Sequence, residues 1–330
     1  MPNVLLTSVG RRVELTRLFR RSYDLLGIDG QLVATDMDAL APALQTVDRP
    51  YKVPGVSDPE YIDVIEEICA REQIDLLLPL NDLDIPVLAN AKPKFEALGV
   101  RTAVVDPEAA VICHDKWEAF KFFERLGLRT PRSWLPENVD ATELNYPVFL
   151  KPRHGSAAKN THKIEVAEQL IAFLPFVPQP IIQEFLPGNE VTTDVICDWE
   201  GTVMANVSRR RIAVREGEVI KGVTVWNSTI QRACRQIAEA LPAVGPITVQ
   251  CIFKEEQPYF IEINGRLGGG LPLTVAAGVD VPAILLSLAA GLPVQPLVGD
   301  GYEVGMYMTR CDESFFLSEA QRAEIPGDHF

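Results

Sequence analysis

The sequence has 330 residues, 47% of them hydrophobic and 23% charged, enough for two or three compact units of ~100–200 residues each and unlike a disordered chain. Its 31 Lys plus Arg against 45 Asp plus Glu give a formal net charge of −14, which argues against a nucleic-acid or anionic-membrane partner engaged over a broad surface. Any anionic ligand must therefore be met by locally gathered cations.

The first residues, MPNVLLTSVGRR, carry no basic segment before a short apolar run, so they do not read as a signal peptide and a cytoplasmic location is expected. Residues 4–9 read as a strand, after which Leu15, Leu18, Phe19 and Leu26 share a helical face. Residues 31–35 form the next strand, Tyr61, Ile65, Ile68 and Cys69 mark a helix, and residues 74–80 and 100–105 read as further strands. Short apolar runs alternating with helix-period segments predict βαβ units and a Rossmann-like parallel sheet.

From residue 115 to about 126 a helix is expected with Phe120, Phe123 and Gly127 on one side. Strands over 147–151 and 180–184 then bracket a loop and a helix near 165–174. Further strands are expected over 203–207, 247–253, 259–264 and 302–308, with a helix through Ile230, Cys234, Ile237 and Leu241 capped by Asn227 or Ser228. Residues 281–299 read as a buried helix and a loop, because Pro282, Pro293 and Pro296 interrupt them too often for a membrane span. The six cysteines, Cys69, Cys113, Cys197, Cys234, Cys251 and Cys311, show no zinc-ligand spacing and read as buried reduced thiols.

Four segments carry candidate chemistry. The turn Ser8-Val9-Gly10-Arg11-Arg12 has one glycine, so the dinucleotide fingerprint fails and no nicotinamide site is expected, despite Asp36 at the end of the second strand. Arg11 or Arg12 remains a candidate for binding a carboxylate or phosphate. Lys151, ending a strand before the small-residue loop that includes Gly155 and Ser156, suits phosphate binding by an ammonium and loop N–H groups. At another strand end, the backbone of Glu184, Phe185 and Leu186 suits an adenine edge, and Glu190 suits ribose hydroxyls. The strongest segment places Glu262 and Asn264 two apart on one strand face, with Gln250 on the preceding strand and Arg266 just beyond. That oxygen set suits magnesium that also holds substrate phosphates.

Two further clusters concern an acceptor. Arg209 and Arg211 share a strand face and suit a substrate carboxylate or the γ-phosphate. Asp82 or Asp84, at the carboxyl edge of the first sheet, suits an ammonium group, although Asp82 also reads as a helix N-cap.

Taken in order, the Rossmann-like segment, Asp115-Lys116, Lys151-Pro152, the 183–190 segment and the Gln250, Glu262, Asn264, Arg266 set resemble the ATP-grasp superfamily, and within it single synthetase halves of the carbamoyl phosphate synthase large subunit. The resemblance implies an α/β and α+β chain: a Rossmann-like pre-ATP-grasp domain over 1–112, a small ATP-grasp lobe over 113–182, and a C-terminal lobe with the metal site over 183–330. It also implies that Lys116, Lys151, Gly155, Ser156, Gln183, Glu184, Phe185, Leu186 and Glu190 contact ATP. Gln250, Glu262 and Asn264 would hold Mg²⁺, with Mn²⁺ as a substitute; Arg266 is the candidate for the transferred phosphoryl group, and Arg209 and Arg211, toward a substrate carboxylate or the γ-phosphate, complete the catalytic candidates.

The activity so implied is activation of a small, amino-acid-like carboxylate as an acyl phosphate for attack by an amine or similar nucleophile. A carbamoyl-phosphate-synthase-like unit phosphorylating bicarbonate or carbamate is the alternative, and an ATP-binding regulatory or scaffold protein is a rival of another class. Partners are the small-molecule substrates, without nucleic acid or membrane, and either a homo-oligomer or a partner subunit is compatible. The phosphate loop GSAAKNTHK is poorer in glycine than in many relatives, with Lys159 or Asn160 where a glycine is common.

Overall fold

The computed structural model describes residues 1–155, 159–297 and 299–326. The first sheet comprises β1 (Val4–Thr7), β2 (Leu32–Asp36), β3 (Arg49–Lys52), β4 (Leu76–Pro79) and β5 (Arg101–Thr102), all parallel in the order β3-β2-β1-β4-β5. Its central strands are continuous apolar runs because both faces are covered. Leu5, Val33 and Leu77 face a core shared with α2 (Tyr61–Arg71) and α3 (Asp84–Ala97), whereas Val4, Leu6, Leu32, Leu76 and Leu78 face a second core with α1 (Val13–Leu26). At the β1 turn, Gly10 adopts φ +48° and its N–H donates to Asp36 Oδ2 at 2.7 Å. Asp36 thus holds the turn itself.

α4 (Pro107–His114) and α5 (Lys116–Arg125) lead to a four-stranded antiparallel sheet. It contains β6 (Ser133–Trp134), β7 (Val148–Pro152), β8 (His162–Ile164) and β9 (Pro180–Glu184) in the order β6-β9-β7-β8, backed by α6 (Ala167–Phe173). Leu144, Val148, Leu150, Ile164, Leu170 and Ile182 give this lobe its own core.

The third sheet is six-stranded and antiparallel: β10 (Asn189–Cys197), β11 (Val203–Arg215), β12 (Glu218–Val225), β13 (Gly245–Lys254), β14 (Gln257–Asn264) and β15 (Tyr307–Thr309), in the order β14-β13-β10-β11-β12-β15. Val191, Val195, Ile247, Val249, Cys251 and Ile263 pack with Ile230, Cys234 and Ile237 of α7 (Ser228–Ala240). Period-two alternation leaves a polar opposite face. α8 (Leu271–Ala276) and α9 (Val281–Ala289) place Leu271, Leu285 and Leu286 in the same core as α1, so the first and third sheets share their interiors. The last helix is α10 (Glu319–Ala323).

Several expectations shift. The strand expected over 100–105 pairs only at Arg101–Thr102, although Ala103, Val104 and Val105 are fully buried, so the apolar run marked burial rather than pairing. Phe122, not Phe120, joins Phe123 in the core from α5. The strand expected over 302–308 shrinks to β15, because Tyr302 instead inserts its hydroxyl as a peg, donating to Val225 O at 2.6 Å. Asp82 is not a cap, and Asn227 rather than Ser228 caps α7, accepting from the N–H groups of Thr229 and Ile230. All six cysteines are free thiols, but the expected burial holds only for Cys69, Cys197, Cys234 and Cys251; Cys113 is half-buried and Cys311, after the last strand, is exposed. Among the described residues, no helix is long and apolar enough to cross a membrane.

Candidate active site

The polar face of the third sheet organises the site. Glu262, Gln250, Thr192 and Arg209 stand directly opposite one another across β14, β13, β10 and β11, and Asn264, Thr248 and Asp194 form the next polar row. A cleft of about 420 Å³ lies between this face and the four-stranded sheet, within the size range of small-molecule sites. Lys116, Phe149, Lys151, Gly155, Gln183, Glu184, Phe185, Leu186, Glu190, Arg211, Gln250, Glu262, Asn264 and Arg266 all line it. Of the expected nucleotide-contact set, Ser156 falls outside the described residues.

Each lysine is held by its surroundings. Lys151 donates to Gln183 Oε1 at 2.8 Å, and Gln183 Nε2 donates to Ser133 Oγ at 2.9 Å. Burial, the largest influence, pulls the Lys151 ammonium down to about 8, against the attraction of Glu262. Lys116, first residue of α5 after the Asp115 N-cap, donates to Gly155 O at 2.7 Å, so it already touches the start of the phosphate loop. The Glu184 N–H, expected to be open to a base, donates to Arg132 O at 2.8 Å. Glu190 is ion-paired with Arg211, which also donates to Gln250 Oε1 at 3.4 Å and Gly217 O at 2.8 Å.

Among the described residues no cluster of three His, Cys, Asp or Glu side chains could hold a metal. The donor set suits a hard cation nevertheless. Two of its three oxygens come from the amides of Gln250 and Asn264, and the third from a carboxylate. Glu262 makes no hydrogen bond or ion pair with the described residues, and burial raises its carboxyl above the ordinary range while Lys116, Lys151 and Arg266 draw it back. A half-buried, desolvated carboxylate without a direct partner is disfavoured in its charged form, and an oxygen-liganded divalent ion would compensate it.

A second compartment of about 240 Å³ adjoins the first. Asp82, Arg211, Gly217, Gln250, Asn264 and Arg266 line both, whereas Arg11, Arg12, Thr192, Arg209, Glu216, Glu218, Thr248 and Gly268–Gly270 line only the second. Arg209 was expected to act beside the transferred phosphoryl group. It lies instead under the glycine run, 2% exposed, with Nε and Nη2 donating to the two Asp194 oxygens at 3.0 and 2.5 Å. Thr274 Oγ1 donates to the same carboxylate at 2.6 Å. Asp84 faces neither compartment, because it accepts from Thr7 and Ser8 inside the first domain, where burial pushes its carboxyl up to about 6.

Arg12 was one of two open candidates in the first turn, and the structure brings it, not only Arg11, to the second compartment. Glu218, Thr248 and Gly268–Gly270 had no place in the expected site. The signal lay in Gly268-Gly269-Gly270 directly after Arg266: an added Cβ would lie 2.8 Å from Asp194 Oδ1, 2.6 Å from Arg12 Nη1 and 1.8 Å from Arg209 Nη1, respectively. Three side chains are missing there because two guanidiniums and a carboxylate occupy the space.

A cleft of nucleotide size lined by Lys116, Lys151 and Lys159 and by oxygens suited to a hard cation, opening into an arginine-lined chamber, has the layout of a nucleotide-dependent group-transfer enzyme. The family description "PylC-like, N-terminal domain" matches residues 4–103, and "ATP-grasp domain" matches residues 113–270. A carbamoyl-phosphate synthase of Methanobrevibacter smithii is 24% identical over 291 residues, covering 80% of this chain and 75% of that protein. The carbamoyl phosphate synthase large chain of Thermomicrobium roseum is 25% identical, covering 86% of this chain but 27% of its own length. The chain thus spans about a quarter of that relative.

Among solved structures, the biotin carboxylase domain of Hydrogenobacter thermophilus 2-oxoglutarate carboxylase, a dimer in complex with MgADP, ADP and bicarbonate, superposes with a TM-score of 0.71 at 18% identity. That match covers 93% of this chain and 73% of that one. An L-amino acid ligase from Bacillus licheniformis gives a TM-score of 0.67 at 19% identity, covering 90% and 75%. At such identities these likenesses show the fold. The chain carries an ATP-grasp domain behind a PylC-like N-terminal domain, is homologous to carbamoyl phosphate synthase large-chain units and to ATP-grasp ligases, and is an ATP-dependent ligase. ATP and Mg²⁺ are the cofactors of that family.

Proposed function

We propose that this chain activates a small, amino-acid-like carboxylate as an acyl phosphate, which an amine or similar nucleophile then attacks. The observation that carries the reading is the junction of the two compartments at Gln250, Asn264, Arg211 and Arg266. ATP in the larger compartment would direct its γ-phosphate toward an acid in the smaller one. A carboxylate oxygen attacks the γ-phosphorus, the bond to the β,γ-bridging oxygen breaks, and its electron pair leaves on ADP. The amine then attacks the acyl carbon, phosphate departs with the C–O electron pair, and the nucleophile's proton passes to solvent.

On this reading Lys116 and Lys151 hold nucleotide phosphates, Gln183 through Leu186 flank the base, and Glu190 lies beside the ribose. Arg266 and Arg211 face the transferred group, where fixed positive charge is most effective. Arg209 works from the second compartment through Asp194. Mg²⁺, or Mn²⁺ in its place, held by Gln250, Glu262 and Asn264, would supply charge neutralisation on the phosphates. The division at 112 and 182 goes with this proposal, supported by the separate core of the four-stranded lobe. Free cysteines suit a reducing cytoplasm, and mass in solution tests for a homo-oligomer.

Sequence similarity to the Methanobrevibacter protein favours phosphorylation of bicarbonate or carbamate as a second reading. ADP release measured against amino acids, small dicarboxylates and bicarbonate, each with and without an amine, separates the two. Stimulation by an organic acid is expected; bicarbonate as the sole stimulant would overturn the first choice, and no stimulation at all would overturn both.

A further inference from the structure

The arginines around the second compartment have acidic partners at short range, with one exception. Arg11 meets Glu216 at 3.1 Å, Arg266 meets Asp82 at 2.5 Å, Arg209 is paired with Asp194 and Arg211 with Glu190. Arg12 has its nearest carboxylate, Glu218, at 3.8 Å, outside hydrogen-bond distance, and its guanidinium makes no hydrogen bond among the described residues. Its side chain is 16% exposed. Burial, and next the neighbouring Arg266, pull its ionisation down to about 10, the mark of a desolvated cation that Glu218 compensates only in part. Gly269 leaves room for Nη1 where a Cβ would stand 2.6 Å away.

Position decides what such a cation is for. Arg266 borders both compartments, whereas Arg12 and the glycine run border only the second. A carboxylate at the junction is within reach of the phosphoryl donor; an anion on Arg12 lies in the part of the second compartment that the larger cleft does not share. We infer that the acid activated here carries a second anionic group, a carboxylate, held by Arg12 off the nucleotide cleft. The substrate class is therefore a small dicarboxylate, acidic amino acids included. This rests on the reading that the second compartment takes the acid.

The test compares L-aspartate, L-glutamate, succinate and glutarate with L-alanine and butyrate. Binding is followed by calorimetry and turnover by ADP release. Wild-type protein is expected to bind at least one diacid roughly 10- to 100-fold more tightly than the matching monoacid, the worth of a charged hydrogen-bonded pair. Arg12→Gln removes that preference, and Arg12→Lys restores part of it. Equal binding of mono- and diacids, equal weakening of both by Arg12→Gln, or no binding by any of the six overturns the inference. The wild-type comparison needs no variant to fold. Selective diacid binding without ADP release would instead sink the proposed reaction, whereas ADP release with monoacids alone would sink the second anion and leave the reaction standing.

Discussion

Arg266 Nη2 donates to Asp82 Oδ2 at 2.5 Å across 184 residues of sequence, joining the end of β14 to the carboxyl edge of the first sheet. Both side chains are largely buried, at 14% and 16% exposure, and both border the two compartments. The pair therefore ties the N-terminal domain to the third sheet at the rim of both compartments. The Arg266 Nε is buried and has no partner among the described residues, so Asp82 carries most of the compensation of this guanidinium.

Removing Asp82 strands that guanidinium. Breaking a buried ion pair from one side costs about 3–5 kcal/mol, and the residual exposure places Asp82→Ala near the lower end. Denaturant unfolding should show a loss of about 3 kcal/mol, together with a fall in kcat. A double-mutant cycle with Arg266→Gln would recover part of the loss; strictly additive effects would show that the pair does not couple the halves.

Lys151 gives a pH signature with two opposite signs. Its ammonium is pulled down to about 8 from the ordinary 10.5, chiefly by burial. That charge is thus lost as pH rises through about 8, and on the proposal that Lys151 holds a nucleotide phosphate, ATP affinity measured by calorimetry should fall on that limb. Stability moves the other way: between about 8 and 10.5 the unfolded chain binds more protons than the folded one, so this group's contribution to folding rises with pH. Lys151→Ala should weaken ATP binding at pH 7 and flatten both limbs. Unchanged affinity would remove Lys151 from the nucleotide site.

The glycine run makes a steric prediction independent of charge. An alanine Cβ at position 270 would sit 1.8 Å from Arg209 Nη1, so the guanidinium must leave Asp194 or the loop must shift. Overpacking of this kind costs about 1–3 kcal/mol. Gly270→Ala should lower the melting temperature and raise KM for the acid with little change in KM for ATP. Equal loss on both substrates would argue that the run serves folding rather than the second compartment.

The sequence exposed what periodicity and residue chemistry encode locally. Continuous apolar strands located the parallel sheet, and polar residues inside apolar runs located Gln250, Glu262 and Asn264. What it hid were long-range pairings. Nothing near Asp82 announces Arg266, and nothing near Arg209 distinguishes a residue meeting solvent or substrate from one locked onto Asp194. Two arginines two apart share a face by strand geometry, yet the neighbouring β10 gives them different partners at different points along its length: Arg211 gains Glu190 at the larger cleft and Arg209 gains Asp194 in the interior. Asp36 is a further case of a hidden pairing, since its position fits a ribose acid while its oxygens hold the Gly10 turn.

The cation site yields the final prediction. Glu262 stands opposite Gln250 in register, and Asn264 opposite Thr248, so two amides and one carboxylate form the set, with a single formal negative charge. Glu262→Gln removes that charge while retaining shape and an oxygen. It also relieves a carboxylate that burial disfavours, so folding stability should hold or rise as turnover collapses. Asn264, 4% exposed, is expected to matter through one oxygen, and Asn264→Ala should raise the Mg²⁺ concentration needed for half-maximal ADP release. Mg²⁺ titrations at saturating ATP, paired with thermal melts, separate the two effects. A rate at limiting Mg²⁺ equal to wild type in either variant would remove that residue from the cation site.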